Sequence, residues 1–392
     1  MRVHALIILP LILGSCGSNV PSQLHAHEDS AGGMSVGAVS GSEAEPASYP
    51  RTPAETAAGV LPEDRHFPPG DARRYGARLD GATADTGAYR SSLLQAYQSG
   101  GADPYWPAGT AVVESLVITG AVHIQTAGFA TILRQKSDQA AGTPILRVLA
   151  SNVAIGRIQF RGNIESDQGE HSHAIEVGGT ENVSNFTLEG VRAQDIRGDV
   201  LYLGGTINRP LQDVQIGDVE GSNIYRSVVS VTGGVRIRIA SITGNRVGYR
   251  HLDVEPNPGG SQEPDDIEVG SIRGADIQFA GDGHIPIGTV RVAYANLDNS
   301  RVSNSSPGYP SYPGANGFAA IVANTHELRF GTLRVRGFRG PAIHCPRVAQ
   351  ASSLYIEHLD AESSRTDASL VNAEGLQRLE INGRELLGRG GR

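Results

Sequence analysis

The sequence predicts an all-β solenoid of about ten stacked turns, and three observations predict it. The first is a short phrase that recurs at 173–177, 199–203, 227–231, 252–256 and 276–279. Each copy alternates apolar and polar residues, and copies follow one another every 23–28 residues, which is the mark of a one-strand-per-turn repeat. The second is composition: 50 glycines and 5% aromatic residues in 392 suit many turns around a core of Val, Ile and Leu. The third is a set of apolar runs between the phrases, at 214–219, 235–242 and 267–272, which supply a second strand to each central turn.

Residues 1–15 read as an export signal. Arg2 supplies the positive end, and residues 5–13 form an apolar stretch too short to span a bilayer as a mature helix. Leu13-Gly14-Ser15-Cys16 resembles a bacterial lipobox, which implies cleavage before Cys16, its lipidation and a membrane anchor that does not span. Gly17 after the cysteine, by the same resemblance, implies the outer membrane of a bacterial envelope. With Cys16 acylated, Cys345 has no partner for an intramolecular disulfide. Residues 16–65 are rich in Gly, Ser, Ala, Pro and Glu without a period and read as a disordered tether. His25, His27, Glu28 and Asp29 within it read as solvated residues, because nothing nearby would fix a metal geometry. A net charge of −8 suggests no nucleic-acid partner. Lys136 is the single lysine, so a lysine base would have one candidate, outside the best-patterned turns.

Residues 66–392 form the solenoid domain. Its opening, 75–86, leads into a helical pattern that ends at Gln98, with Asp85 as N-cap and Gly100 as stop. Ala88, Leu93, Leu94 and Tyr97 make the apolar face for the first turn. Tyr105-Trp106-Pro107-Ala108-Gly109-Thr110 then begins the strands. This order, Tyr75-Gly76-Ala77 through Asp80-Gly81 and Asp85-Thr86, a helix, Gly100-Gly101, then Pro107-Ala108-Gly109-Thr110, resembles the opening of the pectate lyase superfamily. The resemblance implies a right-handed parallel β-helix with an N-terminal capping α-helix, a cover that an open solenoid end needs. Ala84 departs from the family's Asp, which weakens a turn contact.

Later turns follow at 285–292, 319–322, 328–335, 354–359 and 376–381. Asn163, Asp195, Asn223 and Asn245 recur after strands and suit left-handed bends, with a side-chain ladder between them. The stretch 296–317, rich in Asn, Ser, Pro, Gly and Tyr, reads as a long loop beside a cleft.

Alternation assigns sides to the repeated phrase. Glu176, Tyr202, Ser230, Asp253 and Gln278 face outward, one above another. A second outward column holds Ala174, Val200, Val228, His251 and Asp276. His173, Asp199, Arg226, Ser227 and Arg250 gather where the strands begin. Such a polar ribbon suits an extended sugar chain, with Tyr and Arg for sugar faces and uronate carboxylates. Gly198-Asp199-Val200-Leu201-Tyr202-Leu203-Gly204, Asn223 to Val231 and His251 to Pro256 also resemble three successive turns of β-helix polysaccharide-active proteins. Val200, Val228 and His251 stand where those relatives carry glycine, which would raise the groove floor.

Asp253 and Glu255 stand i, i+2 on one strand, about 6.5–7 Å apart at the backbone, which is compatible with an inverting glycosidase pair. Glu176 and Asp199 approach from turns below, and repulsion among carboxylates raises one pKa and supplies the acid. β-Elimination would instead need Arg226, Arg250 or Ca²⁺ to neutralise a uronate, and a base such as His251, His173 or Tyr202. Asp199, Asp253 and Glu255 are the Ca²⁺ candidates; no Asp-x-Asp loop accompanies them, and no cofactor is assigned. Residues 281–284 and Asp265-Asp266 read as turns. The expectation is a surface-anchored polysaccharide-degrading enzyme, lyase or hydrolase, with Asp199, Asp253, Glu255 and His251 catalytic. Glu176, Tyr202, Arg226, Arg250 and His173 would bind substrate. The alternative is a non-catalytic lipoprotein that binds exopolysaccharide.

Overall fold

The computed structural model describes residues 48–167, 169–280, 285–298, 320–337, 343–345, 352–362, 371–372 and 376–387. The signal, Cys16, the group at 25–29, residues 281–284 and most of the 296–317 loop lie outside the described residues.

Among the described residues two sheets, parallel except for the final pair Leu376–Ile381 and Arg384–Leu387, carry the chain from Asp80 onward. A 10-stranded sheet collects the short strands, among them Leu146–Val148, Ile175–Gly178, Leu201–Gly204, Val229–Val231, Leu252–Val254 and Ile277–Ala280. A 15-stranded sheet collects the long ones, among them Val183–Ile196, Leu211–Ile224, Val235–Val247, Asp265–Gly274 and Ile287–Asp298. The chain passes alternately through one sheet and the other, and each strand pairs with the strand one turn earlier. This is a parallel β-helix, with the short strand of each turn at the repeated phrase.

The long strands run further than the apolar runs suggest, because pairing continues around a bend. Left-handed residues sit near both ends: Asn185 and Asp195 on one turn, Asp213 and Asn223 on the next. Asn and Asp tolerate this conformation because their short side chains bond locally. Asn223 Nδ2 donates to Asp195 Oδ1 at 2.6 Å, which makes one rung of the expected ladder. The ladder does not extend to Asn245, since Arg246 (φ 55°) takes the left-handed place. Nor does it reach Asn163, whose amide donates to the Gln135 and Lys136 carbonyls.

Core residues stack in register. Val153, Phe186, Val214, Ile237, Ile267, Val290 and Leu328 form one buried column of the long sheet. Ile175, Leu201, Val229, Leu252 and Ile277 face them from the short sheet. Each such side chain contributes about 1.5–3 kcal/mol by burial, and the stacking repeats the gain on every turn.

The cap is more elaborate than the sequence suggests. The helix Thr86–Ala96 buries Ala88 and Leu93, but Leu94 is exposed. Asp85 precedes the helix without capping it; its carboxylate accepts from the Arg78 and Leu79 N–H groups instead. Residues 48–65, which composition places in the tether, include the helix Pro53–Ala57 with a Thr52/Glu55 capping box. Glu55 and Arg74 are fully buried and paired, and the remaining Arg74 donors reach the Tyr49, Pro50 and Phe67 carbonyls. Among the described residues no helix is long and apolar enough to cross a membrane.

Candidate active site on the short sheet

The register places Glu176, Tyr202, Ser230, Asp253 and Gln278 directly above one another, as alternation predicts. His173, Asp199, Ser227 and Arg250 begin the same strands, tied turn to turn by bonds such as Ala174 N–H to the Asp199 carbonyl and Val200 N–H to the Ser227 carbonyl. The two groups form one polar patch across five turns.

Asp199 is fully buried. Its Oδ1 accepts the Ser227 N–H at 2.8 Å and lies 3.5 Å from Arg226 Nε. Burial opposes its charge, but neighbouring groups, the Arg226 guanidinium first among them, outweigh it and hold the carboxyl below its ordinary range. His173 Nδ1 lies 2.9 Å from the Asp199 N–H and 3.2 Å from Asp199 Oδ2. The shorter contact makes Nδ1 the acceptor and leaves Oδ2 without a donor. The His173 ring stacks on Tyr202, with centroids 4.7 Å apart. The Tyr202 hydroxyl meets Thr232 Oγ1 at 2.9 Å and Asn257 Nδ2 at 3.3 Å, and burial raises its pKa, so it stays a phenol.

Asp253 is the opposite case. It is 3% exposed, and its Oδ1 has no hydrogen-bond partner among the described residues. Burial first, then the charges of Glu255 and Asp199, push its carboxyl well above the ordinary value, and Arg250 and Arg226 do not reverse this. Glu255, two residues on, reaches solvent; the packing around it raises its pKa while Arg226 and Arg250 oppose. A buried carboxyl whose surroundings favour its protonated form thus stands beside one that reaches solvent.

Four of the nine buried polar atoms that lack a partner among the described residues fall on this patch: Asp199 Oδ2, Ser227 Oγ, Ser230 Oγ and Asp253 Oδ1. Unpaired buried polar atoms are costly and cluster where a ligand or water completes them.

Several expectations need correction. Val200 and Val228 are fully buried and point into the core, so they do not raise the groove floor. The cause is the bend before each short strand, which turns two consecutive residues inward. An added Cβ at Gly221 would lie 3.1 Å from Val200 and 3.2 Å from Val228, which shows the valines packed against the far wall. His251 is likewise internal, 4% exposed, with its ring against Gly244 and Gly274 and its Nδ1 accepting the Ala275 N–H. Its ring is turned toward the long sheet, away from the face on which Asp253 stands in register with Ser230 and Gln278, so it does not serve there as a base. Asp199 is a locked anion and not a mobile base. Arg250 is also buried; it pairs with Asp276 and touches Gln278 Oε1 at 3.4 Å. Glu176 is engaged by Arg147 at 2.8 Å. Asp199, Arg226 and Asp253 follow one another at intervals of 27 residues, which suggests one column, but they do not form it, since Asp199 lies over Ser227 and Asp253 over Ser230. Thr232 and Asn257, which hold Tyr202, carry no signal in the repeat. Among the described residues no three His, Cys, Asp or Glu side chains converge as metal ligands.

A separate groove of about 1130 Å³ follows the bend of the long sheet, over Gly217, Ala240, Gly270 and Ala293. Its arginines are paired, Arg238 and Arg291 with Asp266 and Glu268, and Arg329 with Glu327. Small floor residues there follow from backbone approach, since a Cβ at Gly217 would lie 1.9 Å from the Glu189 carbonyl.

No family model matches the sequence, and no curated protein does. Among solved structures the chain is similar to the A-module of the mannuronan C-5 epimerase AlgE4 of Azotobacter vinelandii, at 14% identity and a TM-score of 0.44, over 74% of this chain and 95% of that one. It is also similar to the ORF18 protein of Geobacillus virus E2, at 12% identity and a TM-score of 0.38, over 75% and 61%. The pre-mature gene product 12 of bacteriophage phi29 gives 10% identity and a TM-score of 0.31, over 81% and 57%. The strand register of the chain itself makes it a parallel β-helix protein.

Proposed function

We propose that the protein is a polysaccharide-degrading enzyme that cleaves glycosidic bonds by acid–base chemistry on the short sheet. The observation that carries this is the contrast between two carboxyls two residues apart, Asp253 buried and Glu255 in contact with solvent, with burial favouring the protonated form of Asp253. In hydrolysis Asp253 donates its proton to the leaving glycosidic oxygen, and Glu255 takes a proton from the attacking water. Asp199, held anionic by Arg226 and the Ser227 N–H, keeps Arg226 oriented and adds to the charge that keeps Asp253 protonated. Tyr202, stacked on His173, offers a partly exposed ring face to a sugar.

A second reading, β-elimination on a uronate polymer, is favoured by Arg226, which is 20% exposed in its side chain beside the neutral Asp253. Guanidinium and carboxylic acid together would receive a substrate carboxylate and withdraw its charge. Export and lipidation at Cys16, with a place on the outer membrane surface, belong to the proposal and are supported by the residues at 1–17.

The test is incubation of the purified protein with a panel of neutral and acidic polysaccharides. New reducing ends without unsaturated uronate support hydrolysis, and ultraviolet absorbance of unsaturated ends supports elimination. Tight binding with unchanged chain length across the panel would overturn the enzyme reading in favour of a binding lipoprotein.

A further inference from the structure

We propose that Asp276 is a positioning residue: its carboxylate draws the Arg250 guanidinium away from Asp253 and so preserves a proton donor there. The inference rests on the reading of Asp253 as the acid. It starts from an oddity of the patch. A buried arginine, Arg250, acts by its charge on a buried carboxyl three residues along the chain, Asp253, yet its ion pair is with Asp276.

The register explains the reach. Asp253 and Gln278 are direct neighbours on adjacent turns. Arg250 Nε and Nη2 lie 3.4 Å and 3.5 Å from Gln278 Oε1, so the guanidinium sits beside the Asp253 position. Its Nη1 is turned the other way, onto Asp276 Oδ2. Asp276 starts the next short strand, and its Oδ1 lies 3.5 Å from His251 Nδ1. Arg250 is 3% exposed and has no solvent to relax into. Its charge is therefore satisfied by Asp276, with the Tyr249 ring 4.8 Å from its carbon.

The other groups around Asp253 are known by name. Glu255 stands on its own strand, and Asp199 and Arg226 approach from turns before it. Tyr249 precedes Arg250, and its hydroxyl bonds Gln278. Ser230 and Gln278 are its rung neighbours and carry no charge. Arg226 is committed in part to Asp199 and Glu170. Arg250 is thus the cation whose partner decides whether Asp253 stays a carboxylic acid. Without Asp276, the buried guanidinium is left with the Asp253 and Glu255 carboxyls, and an adjacent opposite charge favours the ionised form of the buried one.

The experiment is isotope-edited infrared spectroscopy of ¹³C-aspartate-labelled protein, with Asp253→Asn identifying the Asp253 band. It needs no substrate, so failure to find an activity leaves the outcome readable. At neutral pH the wild type should show a protonated carbonyl band for Asp253. Asp276→Asn should lose that band, and Asp276→Glu should keep it. Asp276→Asn combined with Arg250→Met should regain it, which a general loosening of the fold would not produce. Should Asp276→Asn fail to fold by circular dichroism, Gln278→Leu serves, since it removes the other contact of Arg250 and should weaken the band. Retention of the full protonated band in every foldable one of these variants, or an ionised Asp253 in the wild type, would overturn the proposal.

Discussion

Replacing Asp253 by Asn removes a titration while leaving the shape of the side chain almost unchanged. The Asp253 carboxyl is 3% exposed, and burial together with Glu255 and Asp199 places its native pKa well above the ordinary carboxylate value. In the unfolded chain the same group titrates near about 3.9. Between those two pH values the native state holds a proton that the unfolded chain has released. The stabilising contribution is fully present below the unfolded pKa and is lost as pH rises through the native one. One proton sets the limiting slope at about 1.4 kcal/mol per pH unit. Asp199 acts in the other direction: its carboxyl is held low, so its contribution is present above its unfolded pKa and is lost as pH falls through the native value. Urea unfolding of wild type and Asp253→Asn across a pH series isolates the difference. Wild-type stability minus variant stability should fall as pH rises above about 4, with a slope that approaches the one-proton limit. Two parallel stability curves would refute the claim that Asp253 is buried as a neutral acid.

Other substitutions separate chemistry from architecture. Glu255→Gln should lower the cleavage rate by about 10²–10⁴-fold, with unfolding by urea shifted by less than about 0.5 kcal/mol since the residue is exposed. Val228→Gly, a groove change if the valine faced outward, should instead cost roughly 2–5 kcal/mol in urea unfolding and leave KM unaltered, because Val228 is fully buried in the core. Glu55→Ala leaves Arg74 buried without its carboxylate partner and should cost about 3–5 kcal/mol; faster hydrogen exchange confined to the cap would report it, and unchanged exchange there would contradict the buried pair.

The legible parts of the molecule were those with a period. Alternation in the repeated phrase gives Glu176, Tyr202, Ser230, Asp253 and Gln278 one outward column, and the backbone register agrees at each of those positions. The same rule fails one residue earlier, at Val200, Val228 and His251, since a bend interrupts strand geometry and pairs of neighbours turn inward. Period-two reasoning has no term for a corner. The glycines opposite these side chains, Gly221, Gly244 and Gly274, carry the missing signal, as small residues on the far wall leave room for large ones. Residues 48–65 were hidden for another reason: their order comes from a buried ion pair between Glu55 and Arg74, nineteen positions apart, and no local pattern announces such a contact. Composition could place Asp199, Arg226 and Asp253 in one region, but only three-dimensional burial separates a locked anion from a neutral acid.

The central claim is that Asp253 supplies the proton for glycosidic cleavage on the short sheet. Its most direct test is the rate of chain shortening, by size-exclusion chromatography, of a polysaccharide that the wild type degrades, measured in parallel with Asp253→Asn. The account predicts a fold retained by circular dichroism and a rate reduced about 10²–10⁴-fold in the variant. Equal rates for the two folded proteins would contradict it.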